Sequence, residues 1–488
     1  MMGGLKPYSR MKASGVAWLG EVPEHWEVSP IARIGRLFKG NGGSKEDEVA
    51  EGVPCVRYGD LYTQHEFFIR STKACISKER TPAYTVIRPG DVLFAASGET
   101  IEDIGRSAVN LLDVPACCGG DVLLLRPSVP ANPGFLGYAA DAPPARHQKA
   151  TMGRGFTVVH IYASQLKRLT LALPPLAEQA AIVRFLDHAD RRIRRHIRAK
   201  QKLIKLLEEL KAAIIHQAVT GRIDVRTGQP YPDYKDSGVE WLGKVPAHWE
   251  VRKLRQCGSI LGGLTPSMAD RSLWDGDVPW VTPKDMKRFT IDGASMNVAT
   301  RALEVTSLRL IPSGSVLLVV RGMILARRVP IARTVQPVTI NQDMKAIVPA
   351  AGIDAGYLAY RMDSAQAAFV PMIDEAGHGT KRFPTERWKD IVFAIPPANE
   401  QRQIVGHLDE LTAQLAGVAD NAQREITLFH EYRTRLIADV VTGKLDVREA
   451  AARLPDEGDD LLPDAADDES APDEPADDLD AVPEDAEA

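Results

Sequence analysis

The sequence predicts two mixed α/β domains separated by two long antiparallel coiled-coil helices, with an internal pseudo-two-fold repeat and a disordered acidic C-terminal tail. Three observations predict it. The chain is written twice; each copy closes on a long helical stripe; and the stretch inside each copy carries short β-branched runs bounded by turn residues.

The repeat comes first. SGVAWLGEVPEHWEV at Ser14–Val28 returns as SGVEWLGKVPAHWEV at Ser237–Val251, with 12 of 15 positions identical and a shift of 223 residues. PPLAEQAAIVRFLD at Pro174–Asp187 returns as PPANEQRQIVGHLD at Pro396–Asp409, and VTGRIDVR at Val219–Arg226 as VTGKLDVR at Val441–Arg448, both shifted by 222. A shift held within one residue over most of the chain means two copies of one structural unit. The predicted organisation is a first domain with its opening segment (1–173), a first helix (174–221), a second domain with its opening segment (222–395), a second helix (396–446) and the tail (447–488).

Within the domains, the runs Val92–Ala95, Val122–Leu125, Val316–Val320 and Ala346–Val348 read as strands. Paired Trp18/Trp26 and Trp241/Trp249 are read as packing groups rather than base-stacking ones, because each pair recurs beside Leu and Val. The helices are clearer. Ile182, Leu186, Ala189, Ile193, Ile197, Leu203, Leu207, Leu210 and Ile214 follow mostly alternating steps of four and three. Ile404, Leu408, Leu411, Leu415, Val418, Ala422, Phe429, Tyr432 and Leu436 do the same in the second copy. About 40 residues make a helix of roughly 60 Å, and Gly221 and Gly443 mark its stop. Such a stripe needs a partner in water, and the other copy's helix is the nearest one.

Composition limits the class. The 488 residues are 44% hydrophobic and 26% charged, as in a soluble globular protein of more than one domain. Met1–Met11 has no apolar leader-like run and no window nears the roughly 18 apolar residues of a membrane span, so a cytoplasmic protein without a membrane partner is expected. Cys55, Cys75, Cys117, Cys118 and Cys257 form no C-x-x-C pair and are read as free thiols. The formal charge of −5 hides an asymmetry: from Pro455 on there are 16 acidic and no basic residues, which leaves +11 on the remainder. A basic body suits a nucleic-acid binder.

The W-L-G-x-V-P-x-H-W-E-V segments at Trp18–Val28 and Trp241–Val251, with L-P-P-L-A-E-Q at Leu173–Gln179 and I-P-P-A-N-E-Q at Ile395–Gln401, resemble the specificity subunits of Type I restriction–modification systems. NQDMKAI at Asn341–Ile347 looks like a further element of that family. The resemblance spans the chain apart from the tail. It implies that each domain is a target recognition domain reading one half of a split, asymmetric site in double-stranded DNA. The helices would set the unread spacer and dock two modification (methyltransferase) subunits, with restriction (motor-nuclease) subunits joining for cleavage. S-adenosylmethionine, ATP and Mg would be used by those partners and no cofactor by this chain.

The residues themselves fit a non-catalytic subunit. No phosphate loop G-x-x-x-x-G-K-[ST], no N/D-P-P-F/Y, no H-E-x-x-H and no G-x-S-x-G occurs. Asp91 with Glu99 or Asp103 leaves a stand-alone nuclease as one alternative, and a protein scaffold that does not bind DNA is another. Groove readers need Arg, Lys, Asn, Gln, Ser or Thr on loops. In the first domain Lys39, Asn41, Arg57, Tyr58, Arg106, Arg154 and Thr157 are the candidates. In the second they are Thr265, Lys284, Arg321, His378, Thr380, Lys381 and Arg382, four of them in GHGTKRF at Gly377–Phe383. Asp60 and Asp285, at matched positions, are expected to stabilise turns, with acceptance from a cytosine amino group as the alternative. Arg191–Lys202, with seven basic residues, is read mainly as a solvated helix face, with phosphate contact over the unread spacer or docking of a partner as alternatives. Glu178, Gln179, Glu400 and Gln401 are candidates for partner docking, with helix-dipole capping and packing as sufficient explanations.

Overall fold

The computed structural model describes residues 5–43, 45–155, 157–375 and 379–455. It divides into two compact units: residues up to Ala199 with those from Glu425 on, and Lys200–Arg424. Both divisions fall inside a long helix. Each unit therefore combines one domain, the first turns of the helix that follows it, and the last turns of the other copy's helix.

In unit 1 the elements that position the rest are β1 (Glu27–Pro30), β2 (Gly35–Lys39), β3 (Phe67–Ile69), β4 (Val92–Ala95), β5 (Ser107–Asn110), β6 (Val122–Pro127), α1 (Pro133–Asp141), β7 (Thr170–Leu173) and α2 (Leu176–Val219). The main sheet runs β2-β6-β4-β5-β3, antiparallel except for the parallel β5–β3 pair. In unit 2 the counterparts are β8 (Glu250–Lys253), β9 (Gly258–Gly262), β10 (Thr290–Ile291), β11 (Val316–Val319), β12 (Ile331–Thr334), β13 (Met344–Pro349), α3 (Ala355–Asp363), β14 (Val392–Ile395) and α4 (Ala398–Val441). Its sheet runs β9-β13-β11-β12-β10, again with only the last pair parallel. The same order in both units is the repeat seen in the sequence.

β4, β11 and the first four residues of β6 are buried on both faces, which is why they read as continuous apolar runs rather than alternating ones. Alternate residues feed different cores: Val316 and Leu318 pack with Tyr357 and Leu358 of α3, whereas Leu317 packs with Val281 and Ile340 of a smaller sheet. Asn132 and Asp354 accept from the backbone N–H of Phe135 and Tyr357, capping α1 and α3. β1 pairs with β7, and β8 with β14, so each domain's beginning and end leave together toward the long helix.

α2 and α4 each run 44 residues from just after a Pro-Pro pair. Both end as glycine stops: Gly221 and Gly443 have φ of 70° and 74°. The N–H of Arg222 reaches Gln217 O at 2.9 Å, and that of Lys444 reaches Asp439 O at 2.8 Å. In unit 1 the helices pair antiparallel, Asp190 meeting Arg433 and His196 stacking on Phe429 at 5.6 Å. Arg433 also clasps Glu66 through both terminal nitrogens, at 2.6 and 2.8 Å. In unit 2 Ile215, Ala218 and Val219 of α2 share one core with Ile404 and Leu408 of α4.

Two of the apolar seam positions expected to be covered are open. Ile182, Leu186, Ala189, Ile193 and Ile197 are buried, but Leu210 and Val418 are 48% and 47% exposed. A domain closes over the outer turns as well as the partner helix; the middle turns lack that second cover. A further difference concerns the tail: Arg448–Ala452 forms a helical turn with Ala451 buried, so ordered structure extends into the stretch assigned to it. Residues 456–488, where disorder was expected, lie outside the described residues. Among the described residues no helix is long and apolar enough to cross a membrane.

Candidate nucleic-acid interface

Beyond β4, Ser97–Gly98 pairs with Val159–His160, and the chain doubles back so that Arg154 bridges His160. This brings three predicted residues, Lys39, Arg154 and Thr157, to one end of the unit 1 sheet. A cavity of about 340 Å³ opens there, lined by Lys39, Ser97, Asp121, His160 and Tyr162 among others. Ser97 Oγ and His160 Nδ1 are 3.0 Å apart, Lys39 Nζ is 3.7 Å from Asp121, and Tyr162 is 57% exposed. Sequence reasoning missed His160 and Tyr162; their alternation in VVHIYAS was the available signal.

Arg106 stands at the same end but faces inward, 3.6 Å from Asp141 and 3.9 Å from Asp103. Arg57 is held 3.3 Å from Glu48, with its side chain only 19% exposed. Both guanidiniums are engaged by carboxylates of their own domain, Arg57 by Glu48 and Arg106 by Asp103 and Asp141. Tyr58 is exposed, and Asn41 exposes its side chain while its backbone pairs with Thr85. Asp60 and Asp285 accept backbone N–H groups within turns, from Arg57 and Thr282, each at 2.8 Å.

The corresponding end of unit 2 pairs residues 320–322 with 381–383: Arg321 bridges Arg382, and Phe383 N–H reaches Val320 O at 2.9 Å. Arg321 and Arg382 are exposed side by side. Lys381 is tied to Glu375 at 2.8 Å, Thr265 donates to Gln342, and Thr380 is half-buried. Lys284 is exposed on the turn Pro283–Asp285, and His378 lies outside the described residues.

The sharpest geometry is duplicated. Glu178, at the start of α2, is buried and accepts from Trp26 Nε1 at 3.0 Å and from the Tyr8 hydroxyl; its other oxygen meets His25 Nε2 at 2.9 Å. Glu400 does the same with Trp249 at 3.0 Å, Tyr231 at 2.5 Å and His248 at 2.8 Å. Burial, and then the hydrogen bond to glutamate, push both phenols well above the usual tyrosine range. The neighbouring glutamines hold the domain side. Gln179 bonds Pro174 O and the N–H of Asn132, and Gln401 bonds Pro396 O and the N–H of Asp354. These four side chains are thus buried, joining three parts of the fold. Trp26 and Trp249 are fully buried as expected, whereas Trp18 and Trp241 are 38% and 44% exposed and pack on one face only. Tyr8 and Tyr231 were missed, although Pro7–Tyr8 and Pro230–Tyr231 share the 223-residue shift.

Asp91 is buried against Arg126 at 2.6 Å. Among the described residues no group of three or more His, Cys, Asp or Glu is placed to hold a metal ion.

Residues 23–205 and 246–427, about three quarters of the chain, match the family described as Type I restriction modification DNA specificity domain. The chain belongs to this family. It is similar to the EcoR124I/EcoR124II specificity subunit of Escherichia coli, 29% identical over 47% of this chain and 55% of that one. It is also similar to the MjaIX specificity subunit of Methanocaldococcus jannaschii, 31% identical over 35% of this chain and 40% of that one. The chain thus spans about half the length of the curated relatives it matches. Among solved structures, a chain of a type I R-M system shares the fold at a TM-score of 0.66, with 17% identity, over 86% of this chain and 98% of that one. The HsdS subunit from Thermoanaerobacter tengcongensis gives 0.51 at 17% identity, over 87% and 98%. The two family matches take in Glu178 with His25 and Trp26, and Glu400 with His248 and Trp249, whereas Tyr8 and Tyr231 lie outside the matched residues.

Proposed function

We propose that this chain is the DNA-reading specificity subunit of a Type I restriction–modification assembly. Each domain reads one part of a bipartite, asymmetric site in double-stranded DNA, and the two long helices set the unread spacer. Two modification subunits dock on the repeated helical framework and carry the S-adenosylmethionine chemistry. Restriction subunits supply the ATP- and Mg-dependent steps. The chain itself is non-catalytic.

The observation that carries this reading is the contrast between identical clamps and divergent sheet ends. Glu178 and Glu400 fix both domains to their helices through the same set of partners. The exposed ends differ: Lys39, Arg154, Thr157 and Tyr162 in one, Arg321 and Arg382 in the other. A subunit that meets two copies of one partner and two unlike half-sites requires that combination. Arg321 and Arg382 are proposed as base or phosphate contacts, together with Lys39, Asn41, Arg57, Tyr58, Arg106, Arg154, Thr157, Thr265, Lys284, His378, Thr380 and Lys381. Each good bidentate base contact contributes about 1–3 kcal/mol of discrimination.

The test is to express the chain with a modification partner and map modified bases across the host genome. One split motif is expected. Arg321→Ala with Arg382→Ala should relax one half of that motif and leave the other intact. No modified motif, or DNA cleavage by the purified chain alone, would overturn the reading.

A further inference from the structure

Unit 2 carries an apolar tip among cations. Between β11 and β12 the chain makes one tight turn of helix, Met323–Ala326. Met323 is 65% exposed and Ile324 39%, whereas Leu325, next in sequence, is buried in the core that holds Tyr357 and Phe383. The turn is fastened on both sides. Gly322 N–H reaches Lys381 O at 3.1 Å, and the backbone of Val329 exchanges two hydrogen bonds of 2.9 Å with the Gln366 amide. Two apolar side chains thus stand on a braced base.

A single exposed methionine would call for no explanation. The surroundings decide here. Arg321 and Arg382 flank the turn on one side, both exposed, and Arg327 and Arg328 follow it on the other. Asp343 stands 4.0 Å from Arg321 and leaves it 55% exposed; Arg328 pairs with Asp363. From Val320 to Pro330 there are three Arg and no Asp or Glu. The same connection in unit 1, between β4 and β5, has the opposite character. Glu99, Glu102 and Asp103 surround its exposed Ile101, and the one cation, Arg106, is engaged by carboxylates. Phosphates attract the unit 2 turn and repel its unit 1 counterpart.

We infer that Met323 and Ile324 wedge between stacked bases in the half-site of unit 2, with Arg321, Arg327 and Arg382 on the flanking phosphates. This rests on the DNA-reading function proposed above. Met and Ile are among the side chains that enter base steps, partly unstack them and kink the duplex. A braced base suits the role, because a mobile tip would yield before the stack did. Pyrimidine–purine steps unstack most easily. The half-site of unit 2 therefore contains a TA or CA/TG step at the wedge, selected by its deformability without a hydrogen bond to either base.

The test uses the full-length chain and a duplex carrying its mapped split motif. 2-Aminopurine replaces each adenine in turn, on either strand, in the half relaxed by Arg321→Ala with Arg382→Ala. Binding should brighten the probe at one pyrimidine–purine step, as unstacking relieves its quenching. Met323→Ser with Ile324→Ser should abolish that signal and weaken binding about tenfold. The slope of log K against log salt should stay the same, since no phosphate contact is removed, and so should the melting temperature of the protein. Met323→Leu should retain the signal. A salt-sensitive complex in which no position brightens, or brightening that survives the double Ser variant, overturns the inference. So does weaker binding on thymine-to-uracil replacement without brightening, which would mean contact with a thymine methyl instead. Failure to bind any duplex at low salt would overturn the proposed function and the wedge together.

Discussion

Two junctions in this molecule do the same work with different connectivity. In unit 2 the end of α2 runs through Gly221 and the Asp224/Arg226 pair straight on to Tyr231, so the glutamate clamp is joined by continuous chain. In unit 1 the equivalent residues, Gly443, Asp446 and Arg448, come from the far end of the sequence. Asp446 N–H reaches Lys6 O at 2.8 Å, and the Arg448 guanidinium lies over the Tyr8 ring at 5.1 Å. Hydrogen bonds and a cation–π contact replace the peptide linkage. The comparison teaches that the same side-chain chemistry holds both junctions, one with a covalent link beside it and one without. Unit 1 has an ion network of Arg433, Glu66, Asp190 and Arg194; in unit 2 Phe289, the counterpart of Phe67, stacks on Tyr360 at 4.3 Å.

Removing the glutamates should break the comparison most severely. Glu178→Ala and Glu400→Ala each strand a buried indole N–H and phenol, at about 1–3 kcal/mol per group, so denaturant unfolding should show losses of roughly 3 kcal/mol or more. Hydrogen exchange should then separate them, with residues 442–455 losing protection in the first variant and the doubly tethered 220–231 keeping more of theirs. Equal loss would mean that the covalent link contributes nothing locally. Next come the glycine stops. A Cβ at Gly221 would lie 2.5 Å from Pro246 Cδ, and one at Gly443 2.3 Å from Pro23 Cδ, both at positive φ. Ala at either position should destabilise its unit by about 2 kcal/mol, and a clear inequality would show that one junction yields more readily.

A smaller effect is expected from exchanging the connectivity. Joining Pro455 to Leu5 with a flexible linker and opening the chain between Thr227 and Gly228 should give a folded protein within about 1 kcal/mol of the original. Failure to fold would show that the covalent junction is required. The smallest concerns pH and sharpens the asymmetry. Burial alone would raise the Glu66 carboxyl, but the charge and hydrogen bonds of Arg433 outweigh it and bring it down to about 2 from the usual 4.5. Its contribution is complete above pH 4.5 and is lost as pH falls toward 2. Glu66 is 39% exposed, so screening reduces the effect. Glu66→Gln should flatten the melting temperature against pH in that range by a few degrees at most, and an unchanged profile would remove the network from the account.

Much of this was legible in the sequence. The constant shift of 222–223 residues exposed the duplication, the Pro-Pro and Gly boundaries delimited both long helices, and the β-branched runs marked the central strands. What stayed hidden depended on distance along the chain. Glu178 looked like a first-turn carboxylate because its phenol partner is 170 residues away. Arg106 looked like a loop cation because Asp141, which turns it inward, is 35 residues on. Leu210 and Val418 looked like seam residues because periodicity records a face without recording what covers it. The candidate readers were the least legible, since exposed polar residues on loops carry no internal pattern to check them against.

The placement of Asp446 beside Lys6 has a consequence for how the protein is made. Residues 200–424, which form unit 2, emerge from the ribosome as one uninterrupted piece. The first domain emerges earlier, yet its clamp lacks Asp446 and Arg448 until almost 250 residues beyond Ala199 have been added. At about 5–20 residues per second, that is a wait of roughly 12–50 s. Through that interval the unit begun first remains open at its joint, and the unit begun second is the first to close.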